Sequence, residues 1–183
     1  MISGPSGVGK TSIVREVLRR TGAEYSVSAT TRPPRPGEVD GRDYRFVERA
    51  GFERMAREGK MLEWAEVFGH LYGTPALPVR EALAAGRTIV LDIDVQGAMQ
   101  VHDRMPQGTY ILVVPPSRQE LARRLGGRGT EGAGAVARRL AAAEQEIAVA
   151  RASGVYNHEV INDRLDVAVQ NVVEIIQQES PRT

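Results

Sequence analysis

Short apolar runs alternate with amphipathic stretches along the chain. TIVLDI (88–93) and TYILVV (109–114) are almost wholly apolar and bounded by turn residues, which is typical of strands buried on both faces of a parallel sheet. EVIND (159–163) predicts a last strand. Amphipathic spacing predicts helices at residues 10–21, 95–105, 117–125 and 166–178. This order predicts an α/β fold with right-handed crossovers and a ligand site at the carboxyl ends of the strands.

Two segments interrupt this alternation. Residues 25–74 combine a polar, Pro/Gly-rich stretch, a short helical segment and the alternating MLEWAEV, and predict a small antiparallel insert. Residues 123–150 are arginine-rich and helical but interrupted by GGRGTEGAG, which predicts a mobile hairpin. The remaining core comprises residues 1–24, 75–122 and 151–183. We therefore expect one domain over residues 1–183.

Composition narrows the class of protein. A length of 183 residues and 42% hydrophobic content suit one domain with a sizeable core. The 24 basic and 23 acidic residues nearly balance, so no overall field favours nucleic acid or a membrane surface. Cysteine is absent and only three histidines occur, which argues against disulfides, thiol chemistry and a zinc cluster. No apolar run has the length of a membrane span or a signal peptide, and a cytoplasmic protein is expected.

The stretch GPSGVGKT matches the phosphate-loop pattern G-x-x-x-x-G-K-[ST] through Gly4, Gly9, Lys10 and Thr11. The glycines let backbone amides converge on phosphate oxygens, Lys10 can reach the β and γ phosphates, and Thr11 can hold Mg²⁺. The alternative is a flexible Gly/Ser terminus that fits the pattern by chance. Only three residues precede Gly4. Either upstream strand residues are missing or the sheet tolerates a stub, and we expect a short first strand with a correctly folded loop.

A carboxylate follows the apolar strand TIVLDI. Asp92 would reach the ligand-binding edge of the sheet, as the acidic residue of a Walker B strand does for the metal. Its alternative role is the N-cap of the following helix. Beside an intact phosphate loop, the metal role is the stronger hypothesis.

Five blocks of the sequence occur in the order found in guanylate kinases: GPSGVGKT, SVSATTRPPRPGEVDGRDYRFV, LEWAEVFGHLYGTP, LDIDVQGA and GRGTE…ARRL. The chain resembles that family nearly from end to end. The resemblance implies a P-loop NTPase three-layer fold with a parallel core sheet, an inserted GMP-binding subdomain and a helical lid. It also implies ATP-dependent phosphorylation of GMP or dGMP with Mg²⁺, small-molecule partners without nucleic acid or membrane, and a monomer or homodimer.

The insert carries the residues that the resemblance assigns to GMP. Arg32 and Arg35 offer forked donors to the phosphate, and Tyr44 adds a hydroxyl, although a merely solvated polar loop is the alternative. Glu63 can accept from the two adjacent donors of guanine, and it would repel the ring nitrogen of adenine; otherwise it faces solvent on an alternating strand. The other residues implied at this site are Ser28, Tyr72, Thr74, Asp92 and Asp94.

The resemblance also implies the residues that contact ATP and stabilise the transferring phosphoryl group. The attacking phosphate oxygen is already ionised, so no general base is needed. Catalysis then depends on positive side chains that stabilise the negative charge of the transferring phosphoryl group. The catalytic set implied is Lys10, Arg124, Arg128 and Arg139. The ATP-binding set implied is Gly4, Ser6, Gly7, Val8, Gly9, Lys10, Thr11, Ser12 and Asn162. The alternatives are solvated arginines on the hairpin and a turn-capping role for Asn162.

Two features depart from the family pattern. GAGAV follows GRGTE where relatives usually carry acidic residues, and because glycine weakens a helix by roughly 1 kcal/mol relative to alanine, we expect a lid that is disordered without nucleotide. The last strand ends in NDR rather than the commoner NDD, which places Arg164 on the adenine side.

Two other functions are kept as alternatives. One is a catalytically silent relative that binds phosphorylated peptides, against which the intact phosphate loop and the lid arginines argue. The other is a P-loop kinase for another phosphorylated acceptor such as a sugar phosphate. Ser28, Glu63 and Thr74, which together suit guanine, argue against it.

Overall fold

A computed structural model describes residues 1–127 and 133–179 of the chain. Strands and helices are numbered along the chain. The strands are β1 (Ile2–Ser3), β2 (Glu24–Tyr25), β3 (Ala29–Thr30), β4 (Arg45–Phe46), β5 (Met61–Val67), β6 (His70–Pro75), β7 (Ile89–Val90), β8 (Ile111–Val114) and β9 (His158–Ile161). The helices are α1 (Lys10–Thr21), α2 (Arg49–Arg57), α3 (Ala76–Ala84), α4 (Val95–Arg104), α5 (Arg118–Gly126), α6 (Ala133–Ala152) and α7 (Leu165–Glu179).

The core sheet is parallel, as the apolar runs predict. β1 pairs with β8, β8 with β9, and β2 with β7. A parallel bridge between Ile2 and Asp92 joins these ladders, and the Ile2 N–H donates to the Leu91 carbonyl at 2.9 Å. The spatial order is therefore β2-β7-β1-β8-β9. β1 is short, as expected, and it still lies between β7 and β8 at the centre of the sheet.

Helices cover both faces of this sheet. On one face, α1 and α7 pack over β1 and β8 through buried valines that include Val14, Val17, Val169 and Val172. On the other face, α3 and α4 contribute Val79 and Val101 to a second buried cluster. These helices exclude water from a sheet whose strands are apolar on both sides, and the result is the expected three-layer fold.

The insert is built on a second sheet with the order β4-β3-β6-β5. β6 pairs antiparallel with both β3 and β5, whereas β3 and β4 run parallel. The prediction of an antiparallel insert is therefore wrong for one strand pair. A parallel pair needs a crossover of about a dozen residues, and the Pro/Gly-rich segment 31–44 supplies it.

The predicted hairpin consists of α5 and α6, which pack through Leu121, Leu125, Leu140 and Ala143. Its connecting residues 128–132 lie outside the described residues, and so do Arg128 and the centre of the expected lid disorder. Within the described part of the chain, no helix combines the length and the apolar character needed to cross a membrane.

Candidate active site

The phosphate loop runs from the end of β1 to the start of α1. At Gly4, an added Cβ would lie 2.3 Å from the carbonyl oxygen of Val113 in β8. Gly9 has a φ of 90°, and a Cβ there would lie 2.6 Å from Nδ2 of Asn162. Side chains are therefore excluded at both ends of the loop. The loop presents its backbone, which is what an amide nest for phosphate requires.

Two side chains support the loop at the Val8 carbonyl. The Val8 side chain is fully buried. The backbone carbonyl of Val8 accepts a hydrogen bond from Nδ2 of Asn162 at 2.7 Å. Nη1 of Arg124 reaches the same carbonyl at 3.4 Å. Asn162 is only 5% exposed. The structure thus gives Asn162 a loop-supporting contact, while the contact with adenine stays a prediction.

The N-terminus of α1 opens toward the loop. Gly9 at the N-cap has a left-handed backbone and provides no capping side chain, and the first turn carries no acidic residue. The first N–H groups of the helix and its positive dipole end are therefore available to an anion. Thr11 is exposed in this first turn.

Lys10 bends back from α1 across the ends of two strands. Its Nζ lies 3.2 Å from Oδ1 of Asp92, 3.0 Å from the Ile93 carbonyl and 3.4 Å from the Gly4 carbonyl. The Lys10 and Asp92 side chains are 19% and 16% exposed. Asp94, not Asp92, caps α4, since its Oδ1 accepts from the Gly97 N–H at 2.7 Å. Asp92 therefore acts on Lys10 rather than as a helix cap.

Arginines of the hairpin lie against the loop. Nη2 of Arg139 donates to Oγ of Ser6 at 3.3 Å. Nε of Arg124 donates to Oε1 of Glu120 at 2.7 Å. The pairing with Arg123 and then Arg124 lowers the pKa of Glu120 to about 2. The structure thus brings Arg124 and Arg139 to the loop.

A cationic and aromatic cluster lies in the insert. The Arg32 guanidinium stacks 5.6 Å from the Tyr44 ring centre, and the Tyr44 and Tyr72 rings meet edge to face at 6.0 Å. Arg32 is 11% exposed and donates through Nη2 to both carboxylate oxygens of Glu38, at 2.9 and 3.0 Å. This hydrogen bonding raises the pKa of Arg32 and keeps it a fixed cation. The cluster is suited to an anion bearing several oxygens.

Glu38 is a member of this cluster that the sequence analysis missed. Besides Arg32, its Oε2 accepts from the backbone N–H of Arg35 at 2.7 Å. The Arg35 side chain is exposed. Ser28 lies half-buried just before β3. The sequence did indicate this role, because a carboxylate three residues after Arg35 in a Pro/Gly-rich turn can accept a hydrogen bond from a backbone N–H of that turn.

Glu63 is buried, which excludes the solvent-facing alternative. Its side chain is 8% exposed, and the hydroxyl of Thr74 on β6 donates to its Oε1 at 2.6 Å. Oε2 lies 3.1 Å from the position that a Cβ on Gly97 would take. Burial, and then the nearby Asp94 carboxylate, raises the pKa of Glu63 above its usual value. A partly desolvated acceptor of this kind suits a ligand with paired N–H donors.

A β-bulge explains why Glu63 points inward. Met61 is opposite Pro75, but Glu63 is opposite Thr74, so Leu62 is an extra residue in β5. Met61, Leu62 and Glu63 are consequently all buried instead of alternating. Bulges redirect side chains next to binding sites. The alternation of apolar and polar residues in the sequence does not reveal where a bulge lies.

Glu146 on α6 is a further acidic group that the sequence analysis missed. Burial and the Asp94 carboxylate raise its pKa, whereas Lys10 opposes the shift. In the described ranges, His, Cys, Asp and Glu side chains do not form a group of three or more that could hold a metal ion.

Comparisons with known proteins show the family of this chain. The family model described as guanylate kinase matches residues 1–179. A guanylate kinase of Gloeobacter violaceus is 51% identical over 182 residues, which cover 99% of this chain and 87% of that relative. One from Thermus thermophilus is 47% identical over 183 residues, 100% of this chain and 82% of that relative. The crystal structure of guanylate kinase from Anaplasma phagocytophilum superposes with a TM-score of 0.77 at 32% identity, covering 100% of this chain and 85% of that one.

Proposed function

This chain belongs to the guanylate kinase family, and from that premise we propose how its residues transfer a phosphoryl group from ATP to GMP. A phosphate oxygen of GMP forms the new bond to the γ phosphorus, and the bond from that phosphorus to the departing ADP oxygen breaks. The observation that carries the assignment is a pair of sites in one chain. They are the open amide loop at α1 and the buried Glu63–Thr74 pair in the insert.

The ATP phosphates are assigned to the loop Gly4–Thr11 and the first turn of α1 through Ser12. Its uncapped N–H groups complement the phosphate charge, and Lys10 adds a cation that Asp92 holds in place at 3.2 Å. Thr11 and Asp92 supply one hydroxyl and one carboxylate. This donor set fits Mg²⁺, which keeps several waters and takes other ligands from phosphates. When bound, Mg²⁺ would neutralise phosphate charge.

The guanine base is assigned to the Glu63 pocket. An ionised Glu63 accepts from the ring N–H and the exocyclic amine of guanine. The single proton of the Thr74 hydroxyl is engaged by Glu63 at 2.6 Å, so Ser28 is the donor left for the guanine carbonyl. Asp94 borders the same pocket.

The GMP phosphate is assigned to Arg32, Arg35, Tyr44 and Tyr72. Arg32 is already oriented by Glu38 and stacked on Tyr44, so binding costs less side-chain entropy than with a loose arginine. No contact in this assignment goes to the ribose 2′-hydroxyl. We therefore extend the acceptor to dGMP.

The transfer itself depends on positive charge. The GMP phosphate is ionised at neutral pH, so Lys10, Arg124, Arg128 and Arg139 act by stabilising charge on the transferring group. In this proposal the hairpin 123–150 closes over both nucleotides and excludes water. All assigned residues come from one chain. Because ATP is the donor, we place the reaction in the cytoplasm.

A panel of acceptors tests the proposed function. Purified protein with ATP and Mg²⁺ is expected to release ADP rapidly with GMP and dGMP, and slowly with AMP, CMP, UMP or a sugar phosphate. A coupled ADP assay measures this. Fast release with a sugar phosphate alone, or phosphopeptide binding without any turnover, would point to one of the other two functions.

Arg139→Ala tests the charge-stabilising role of the hairpin. We expect kcat to fall about 30-fold, because the contact strengthens as charge spreads over the transferring group. The KM values for ATP and GMP should change less than about threefold. Arg138→Ala is the matched control, since Arg138 is an exposed neighbour on the same helix. A variant in which both KM values rise while kcat is retained would make Arg139 a binding residue only.

A further inference from the structure

The outer edge of β5 is covered by side chains of α4 instead of another strand. β5 is the last strand of the insert sheet. Oε1 of Gln100 accepts from the Trp64 N–H at 3.3 Å, and its Nε2 donates to the Trp64 carbonyl at 3.2 Å. The Arg104 guanidinium donates to the Leu62 carbonyl. These are the backbone groups that a neighbouring strand would otherwise pair with.

The bonds lie on either side of Glu63. Leu62, the bulged residue, precedes Glu63, and Trp64 follows it. A bulge leaves its extra residue outside the regular ladder, and a slip of one residue would turn the following side chain to the other face. By holding both neighbours, Gln100 and Arg104 oppose such a slip and keep the carboxylate inside.

α4 also passes close to the carboxylate. A Cβ on Gly97, in the first turn of this helix, would lie 3.1 Å from Oε2 of Glu63. The helix starts at its cap Asp94, directly after Ile93, whose carbonyl binds Lys10. α4 therefore connects the segment after β7, whose Ile93 carbonyl binds Lys10, to the pocket assigned to guanine.

We propose that Gln100 and Arg104 are positioning residues that set guanine selectivity by clamping the bulge around Glu63. The inference rests on the proposed function, because it gives Glu63 the guanine-binding role. Neither clamp residue contacts the substrate. Gln100 acts through the backbone of β5, whereas Arg104 combines its bond to the Leu62 carbonyl with a positive charge that opposes the raised pKa of Glu63.

Gln100→Ala tests the clamp, since alanine preserves the helix. The loss of two hydrogen bonds is expected to raise the KM for GMP about fivefold and to lower the GMP-to-AMP ratio of kcat/KM by a similar factor. The kcat for GMP and the KM for ATP should stay within about twofold of wild type. Arg104→Ala, which removes the bond to Leu62, should shift the same quantities in the same direction.

Gln177→Ala is the matched control, because Gln177 is an exposed glutamine on α7.

Hydrogen exchange gives a readout that does not depend on activity. The Trp64 amide should exchange faster in Gln100→Ala, while the amides of β8 keep their protection. Trp64 is also the single tryptophan of the chain, so its emission reports the same loosening of β5.

The possible outcomes separate the clamp from the function on which it rests. Wild-type protein without GMP-dependent ADP release would defeat the proposed function. An active wild type whose Gln100→Ala variant loses Trp64 protection but keeps its KM for GMP would overturn the clamp alone. Equal rises in the KM for ATP and for GMP would also overturn it, because general loosening does not discriminate between the two sites.

Discussion

Replacing Lys10 with methionine will lower kcat for GMP phosphorylation by about three orders of magnitude. The substitution keeps a long unbranched side chain but removes the cation that Asp92 holds 3.2 Å away, beside the Gly4 and Ile93 carbonyls. In the proposed function, that cation stabilises the charge that develops on the donor phosphates during transfer. The coupled ADP assay at saturating ATP and GMP measures kcat. Because Lys10 is also assigned to ATP binding, the KM for ATP should rise as well, but by a smaller factor than kcat falls.

The chain offers a matched control for this variant. Lys60 is its only other lysine, and it is a surface residue paired with Glu58. Lys60→Met should therefore keep wild-type turnover. A Lys10→Met enzyme that keeps more than about a tenth of its kcat would remove Lys10 from the catalytic set, because a lost charge at the transferring group costs far more than that.

Glu63→Gln will lower the preference for GMP over AMP, measured as the ratio of the two kcat/KM values, by about a thousandfold. A carboxylate accepts from both guanine donors, whereas the glutamine amide offers one acceptor and turns an N–H group toward the second donor. Adenine loses its repulsion from the carboxylate at the same time. The KM for ATP should stay within about twofold, since the loop at α1 is untouched.

The same variant should be more stable than wild type at neutral pH. Burial raises the pKa of Glu63 in the folded state, so the folded protein binds more protons than the unfolded chain between the usual glutamate pKa of 4.5 and that raised value. The unfolding free energy of wild type therefore falls as pH rises through this interval. The glutamine of Glu63→Gln does not ionise, so the variant does not lose unfolding free energy in this way. Its advantage in Tm should appear at pH 7 and disappear below about pH 4.5.

Glu66→Gln is the control for both measurements, because Glu66 is an exposed residue of the same strand. Its Tm difference from wild type should not follow the titration of a buried carboxylate. A Glu63→Gln protein that keeps its GMP preference, or melts below wild type at pH 7, would contradict the buried, ionised acceptor on which the guanine assignment depends.

Local patterns predicted the elements that pack on the core sheet. The 3.6-residue period of Ile13, Val14 and Val17 placed the helix 10–21, which is α1 with the same bounds. The apolar run TYILVV became β8. α3 was missed, since its apolar stripe is short and Pro78 lies in its first turn. The parallel β3–β4 pair was missed because strand direction depends on the path of the crossover and not on either strand alone.

The sequence by itself determined the local geometry of the loop Gly4–Thr11. Glycine spacing, one lysine and the helix that follows act within a few residues of each other, so their local pattern carries the geometry. The tertiary structure alone decided the burial of Glu63, the support of Val8 by Asn162 and the clamp by Gln100. Each of these joins residues that are distant along the chain or depends on a bulge. Such contacts are set by packing between elements, and the spacing of apolar and polar residues along the chain does not predict them.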